Sequence, residues 1–203
     1  MDYTSDYCEK NRLLLNVNKS ISITFTLQKT ISTDPLVVSG GLIGIKPEIK
    51  LLGVIFDEHL RFTSHVDHVI ERTKLSMHGL IKLKRCGVDP WSLALFYRAR
   101  ILSILSYAAP CWYPHIADRD KDKLERFQKL CMKIIIPDEE DYETRLSILK
   151  LDEFHIHMDL LCFRFLSKVG SNDQHPCYRY ICKEKKNFNR TTLLDNNVFH
   201  KYR

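Results

Sequence analysis

The chain has 203 residues, 44% of them hydrophobic, enough to bury the core of one domain or of two small ones. Its 31 basic and 25 acidic residues leave a net charge of +6, which permits a polyanionic partner without requiring one. No apolar run reaches the ~18 residues of a membrane span, and seven scattered cysteines without a Cys-x-x-Cys pair argue against a disulfide framework. With a polar, acidic opening in place of a signal peptide, the expectation is an intracellular chain, cytosolic or nuclear, with reduced thiols and no membrane partner.

In chain order, residues 6–12 read as the end of a helix and Leu13 to Asn18 as a turn into a strand. Ser20 to Phe25 alternates, placing Ile21, Ile23 and Phe25 on one face of a half-buried strand. Leu36-Val37-Val38, the glycine pair Gly40-Gly41, and Leu42 to Ile45 read as a hairpin. Leu51, Leu52, Val54, Ile55 and Phe56 form an apolar run interrupted by Gly53, read as a strand with a bulge or a close backbone approach at the glycine. Asp57-Glu58-His59 should then turn the chain into a short return strand through Leu60 and Phe62. These four or five strands would make one small antiparallel sheet.

From Ser64 the apolar period changes from two to 3.6. Thr63 or Ser64 is expected to cap a helix, with Asp67 completing a capping box. Val66, Val69, Ile70, Thr73, Met77, Leu80 and Ile81 mark its inner face, and Gly87 ends it. Asp89-Pro90 starts the next helix, expected to run to Ala109, where Pro110 stops it. A third helix spans about residues 119–136, with Leu124, Phe127, Cys131 and Ile134 inward. A short helix starts at Asp141, a last one runs over residues 152–169, and a basic, poorly ordered tail follows. The expected fold class is α+β: a small antiparallel β-sheet (residues 1–63), then an all-α helical bundle (64–170), then the tail (171–203).

The stretch Leu51-Leu52-Gly53-Val54, followed by Leu60-x-Phe62-x-x-His65 leading into a helix, resembles the end of the palm in reverse transcriptases of non-LTR (LINE-type, jockey-like) retrotransposons. Other residues fit in the same order: Asn11-x-Leu13-x-Leu15-Asn16-x-x-Lys19-Ser20 before it, and Leu83-Lys84-Arg85, Leu95-Phe96-Tyr97, Tyr107-Ala108-x-Pro110-x-Trp112 and Lys123-Leu124-Glu125-x-Phe127-Gln128 after it. The resemblance covers roughly Tyr7 to Val169, and its weight lies in the ordered series. It implies that residues 1–63 correspond to the end of a polymerase palm and the helices to a thumb.

Such enzymes extend a primer with two magnesium ions held by aspartates, two of them adjacent in a Tyr-x-Asp-Asp turn. This chain has no Asp-Asp pair. The resemblance therefore implies a piece of an RNA-directed DNA polymerase without the catalytic aspartates, inactive alone, with the upstream palm and fingers missing. Magnesium would belong to the parent enzyme, and no cofactor, catalytic residue or metal ligand is assigned here. Glu139-Glu140-Asp141 reads as a solvated loop, His65-x-x-His68 offers too few ligands for zinc, and His175, Cys177 and Cys182 form a thin cluster whose spacing does not match the zinc elements that some such enzymes carry beyond the thumb.

The partner implied is an RNA/DNA template–primer duplex, bound through its backbone. Lys19 matches a lysine that follows the catalytic strands, Gly53 and Val54 match the primer grip, and Lys82, Lys84, Arg85, Lys123, Arg126, Lys129 and Lys133 are candidates for a phosphate track along the thumb. Tyr107 and Trp112 read as core residues rather than stacking platforms. The alternatives are a helical protein-interaction module or a retrotransposon relic without function.

Overall fold

In the computed structural model the described residues are 2–14, 16–26, 36–38 and 41–181. They divide between two compact units, Met1–Ile156 and His157–Arg203. The first unit carries the strands and most of the helices, and its class is α+β as expected.

Helix α1 spans Asp2–Lys10, and a 3-10 turn at Val17–Lys19 follows. Strands β1 (Leu36–Val38) and β2 (Gly41–Ile43) form the first antiparallel hairpin. Its expected turn at Gly40 lies outside the described residues. β3 (Glu48–Leu51) and β4 (Val54–Asp57) form a second hairpin, with Leu51 opposite Val54 and Glu48 opposite Asp57. The single small sheet is thus two separate hairpins. Residues 20–26 contribute only one bridge, Ser22 to Ile45, and Ile21 and Phe25 are about half exposed. Among the described residues their alternation has no neighbouring ladder to join, so it does not make a strand.

Gly53 is the turn itself, not a bulge. Leu52 and Gly53 both have positive φ, 47° and 89°, as a two-residue turn of the primed type requires. The expected return strand through Leu60 and Phe62 is absent, and both residues have left-handed φ, 55° and 57°. Asp57 explains why. Its carboxylate accepts from the backbone N–H of His59 (3.0 Å), Arg61 (3.1 Å) and Phe62 (2.7 Å), gathering residues 58–62 into a compact loop. Partial burial pushes its carboxyl pKa up, but these N–H groups outweigh that and hold it below the ordinary value. The loop drives Phe62 inward to 2% exposure, edge-on to Phe56. Asp57→Ala should cost about 2–3 kcal/mol, since three donors would lose an ionised acceptor, and a shifted denaturant midpoint measures this. An unchanged midpoint would mean that water replaces the carboxylate.

Helix α2 (Thr63–Arg85) starts without a side-chain cap. The hydroxyls meant for capping reach other elements: Thr63 donates to Asp120 and Ser64 to Glu48, while Asp67 pairs with Lys123. Its far end closes as read from Gly87, with Gly87 N–H on Lys84 O and Val88 N–H on Leu83 O. α3 (Pro90–Tyr97) is capped by Asp89, which accepts from Ser92 N–H at 3.0 Å. It continues through a π-helical turn, Arg98–Leu102, into α4 (Ser103–Leu105). The helix therefore ends at Leu105, short of Ala109. Pro110 sits in the first turn of α5 (Ala109–Trp112), where a missing N–H is harmless, so it starts a helix rather than stopping one.

α6 (Asp118–Ile135) packs across α2 and α3 and against α7 (Tyr142–Leu149). The core lies between them, with Leu80, Leu93, Tyr97, Ile101, Leu105, Trp112, Leu124 and Cys131 fully buried. Ile135, not Ile134, takes the innermost place at the end of α6. α3 is only partly enclosed, because Trp91 and Leu95 face outward. α8 (Phe154–Ser171) begins in the first unit and belongs mostly to the second, where α9 (Tyr178–Ile181) follows. Most of the expected tail, from residue 182 onward and including Cys182, lies outside the described residues.

Candidate nucleic-acid interface

The β3–β4 turn overhangs a cleft of about 300 Å³. Leu52 and Gly53 form one wall, His65, Val69 and Arg72 of α2 the second, and Ile104 and Tyr107 the third. The turn is held over it by Tyr107, whose hydroxyl donates to Leu52 O at 3.1 Å. A Cβ on Gly53 would stand 3.3 Å from the Tyr107 ring, so the glycine is needed both for its φ and for this approach. Val54, the next residue, is buried at 4% exposure and anchors the turn to the core. Tyr107 is half exposed, so it is a rim residue rather than the core residue expected, whereas Trp112 is fully buried and donates to Tyr107 O.

His65 forms part of the second wall at 1% exposure, edge-on to Trp112. Its Nδ1 accepts from Ile55 N–H at 3.4 Å, so the ring proton sits on Nε2, which has no hydrogen-bond partner among the described residues. Burial, followed by the charges of His68 and Lys50, pushes its pKa down to about 4. One turn along, His68 Nε2 lies 3.1 Å from Lys50 Nζ. A protonated amine can only donate, so His68 is the neutral acceptor. Burial, then Lys50 and Arg72, lowers its pKa as well. Among the described residues no third metal-ligating side chain joins His65 and His68.

The residues named from sequence fall into three groups. Gly53 and Val54 stand at the cleft. Lys84 and Lys123 are held in contacts between helices. The Lys84 ammonium donates to Ile135 O at 2.9 Å, closing the end of α6. Lys123 bridges Asp67 (2.9 Å) and the fully buried Asp120 (3.1 Å), and these two acids, Asp67 first, hold its pKa above the ordinary lysine value. Arg126, Lys129 and Lys133 line the exposed side of α6, with Lys129 4.9 Å over the Tyr142 ring. Lys82 and Arg85 are exposed at the end of α2, and Lys19 ends the 3-10 turn, also exposed. The sequence reading did not single out Lys50 and Arg72. They come from different elements, and the structure sets both beside His68.

One further cluster brings Glu125, Glu153 and His155 within 4.8 Å of each other. Glu125 accepts from the Tyr142 hydroxyl and from the backbone N–H groups of Phe154 and His155, so it serves as the N-terminal cap of α8. His175 Nδ1 accepts from Cys177 N–H at 3.1 Å. Among the described residues no helix is long and apolar enough to cross a membrane. Comparison of the chain with protein-family models, curated proteins and solved structures returned no significant match.

Proposed function

We propose that this chain corresponds to the end of the palm and the thumb of a non-LTR retrotransposon reverse transcriptase, and that it grips a template–primer duplex rather than carrying out the chemistry. The observation that carries the reading is the ordered series of motifs from Asn11-x-Leu13 to Lys123-Leu124-Glu125-x-Phe127-Gln128. Two features of the geometry support it. The glycine matched to the primer grip sits in an exposed two-residue turn at the mouth of a cleft, where backbone can approach a sugar–phosphate chain. Arg126, Lys129 and Lys133 are spaced along an open helix face, as contact with successive phosphates needs.

Binding of a labelled RNA–DNA hybrid, followed by fluorescence anisotropy, tests this. With about four phosphates neutralised, affinity should fall roughly 100-fold between about 50 and 200 mM salt. In the same preparation, magnesium and nucleotides should give no primer extension, because the chain has no Asp-Asp pair. Absence of hybrid binding, or affinity indifferent to salt, overturns the duplex reading, and metal-dependent incorporation overturns the assignment of chemistry elsewhere. The reading as a protein-interaction module has one observation on its side, Trp91 and Leu95 exposed on α3 at 53% and 63%. A chain blind to the hybrid would favour it.

A further inference from the structure

The hairpin and α2 bring two cations, Lys50 and Arg72, beside the uncharged imidazoles of His65 and His68, and among the described residues no acid pairs with either cation. His65, His68 and Arg72 lie at i, i+3 and i+7 on one face of α2. Lys50 reaches the same face from β3 and is bonded to His68. The nearby carboxylates on these elements are engaged elsewhere: Glu48 with Ser64, Asp57 with three backbone N–H groups, Asp67 with Lys123, and Glu71 with Lys74. Among the described residues neither Arg72 nor Lys50 has an acidic partner, and Lys50 is bonded to a neutral imidazole. Holding like charges together costs free energy that a bound anion would recover.

We propose that this cleft is a phosphate-binding site for one nucleotide unit, in which Arg72 on its wall holds the phosphate, Lys50 reaches it from beside the cleft through its place on His68, and Tyr107 at the rim receives the sugar or base. The cleft's volume of about 300 Å³ is at the lower end of what small-ligand sites occupy, in keeping with one such unit. Arg72 supplies a planar fork matched to phosphate oxygens, and Lys50, with one N–H on His68, has two more to give. Leu52, Val69 and Ile104 give the apolar lining that a sugar or base can cover. The unit's source, a free nucleotide or a residue of a bound strand, is left to the experiment. The strand form rests on the function proposed above, whereas the phosphate site itself does not.

The test uses the full chain with two probes, a labelled RNA–DNA hybrid and thymidine 5′-monophosphate, the latter followed by the His65 and His68 imidazole resonances. The variants are Arg72→Gln and Lys50→Gln, with Lys74→Gln as a control that removes the same charge from the exposed side of α2. All three positions are exposed, and a thermal melt confirms that each variant folds. Each site variant should weaken binding of the probe that occupies the cleft by about 10-fold or more, and the control should stay within about twofold of wild type. Loss with the hybrid assigns the site to a strand, and loss with the mononucleotide alone assigns it to a free nucleotide. If the hybrid binds equally to wild type and both site variants and the mononucleotide moves neither imidazole, the cleft is not a phosphate site, though the duplex reading survives. Mononucleotide binding that depends on Arg72 in a chain blind to the hybrid upholds the site and removes the duplex reading. If neither probe binds, both fall.

Discussion

Replacing Gln128 by alanine is expected to lower the unfolding free energy by about 3–4 kcal/mol, or roughly 10 °C in melting temperature. Gln128 is 1% exposed and ties three segments together with one amide. Its Oε1 accepts from the Tyr97 hydroxyl at 2.6 Å, and its Nε2 donates to the Tyr142 hydroxyl at 2.9 Å and to Asp152 O at 2.8 Å. Tyr142 in turn donates to Glu125, which caps α8. Truncation leaves a cavity at the meeting of α3, α6 and α7, and it strips the buried Tyr97 hydroxyl of its partner. Burial drives the Tyr97 pKa well above the ordinary tyrosine value, so the ring cannot escape by ionising. Tyr97→Phe alone should cost less, about 1–2 kcal/mol, because only one bond goes. The double variant should fall short of the sum by about 1 kcal/mol, the signature of a shared interaction. Denaturant titration of the three variants checks this, and a Gln128→Ala cost under about 1 kcal/mol would mean that water enters and satisfies the site.

That amide shows where sequence reading stops. Gln128 sits on the inner side of a helix whose Leu124, Phe127 and Cys131 were placed correctly, yet a polar residue in such a row has no local signature. Its three partners are 14 to 31 residues away. Where the chemistry is local, the sequence was read well. Gly87 closes α2 and Asp89-Pro90 opens α3 because a positive φ, a carboxylate and a fixed ring each act within one turn. Ser64 and Asp67 carried the same kind of local signal, but Glu48 and Lys123 took their side chains away. The turn at Leu52-Gly53 was missed because leucine is not a residue that turn chemistry selects at positive φ, so the polar Asp57-Glu58-His59 looked the better turn.

The candidate site divides along the same line. Gly53 was legible because glycine within an apolar run asks for an explanation. The basic residues were legible as a list but not as a surface. Spacing alone could not distinguish Lys84, spent on the carbonyl end of α6, or Lys123, spent on two acids, from Arg126 and Lys133, which stay open to solvent. Lys50 and Arg72 are 22 positions apart and join only through the register of β3 with β4 and the packing of β4 on α2.

Acid is expected to weaken this fold through His65, by up to about 3 kcal/mol between roughly pH 6.5 and pH 4. In the unfolded chain the imidazole takes a proton near pH 6.5, whereas in the fold burial, and then the charges of His68 and Lys50, delay protonation to about pH 4. Within that window the unfolded state binds more protons, so stability rises with pH, and above it the contribution is constant. His65→Gln removes the titrating group and keeps a side-chain oxygen for the Ile55 N–H. Its loss of the edge contact with Trp112 should make it less stable than wild type near neutral pH. The stability difference between wild type and variant should then shrink as pH falls below about 6.5, because only the wild type carries the His65 imidazole, whose protonation the fold resists. Other acid-sensitive groups, Asp57 among them, are present in both proteins and cancel in the difference. Denaturant titrations across that range read it directly. A difference that stays flat down to about pH 4 would show the imidazole accepting its proton inside the fold. In that case the wall of the cleft would not be the uncharged donor, crowded by cations, that its geometry describes.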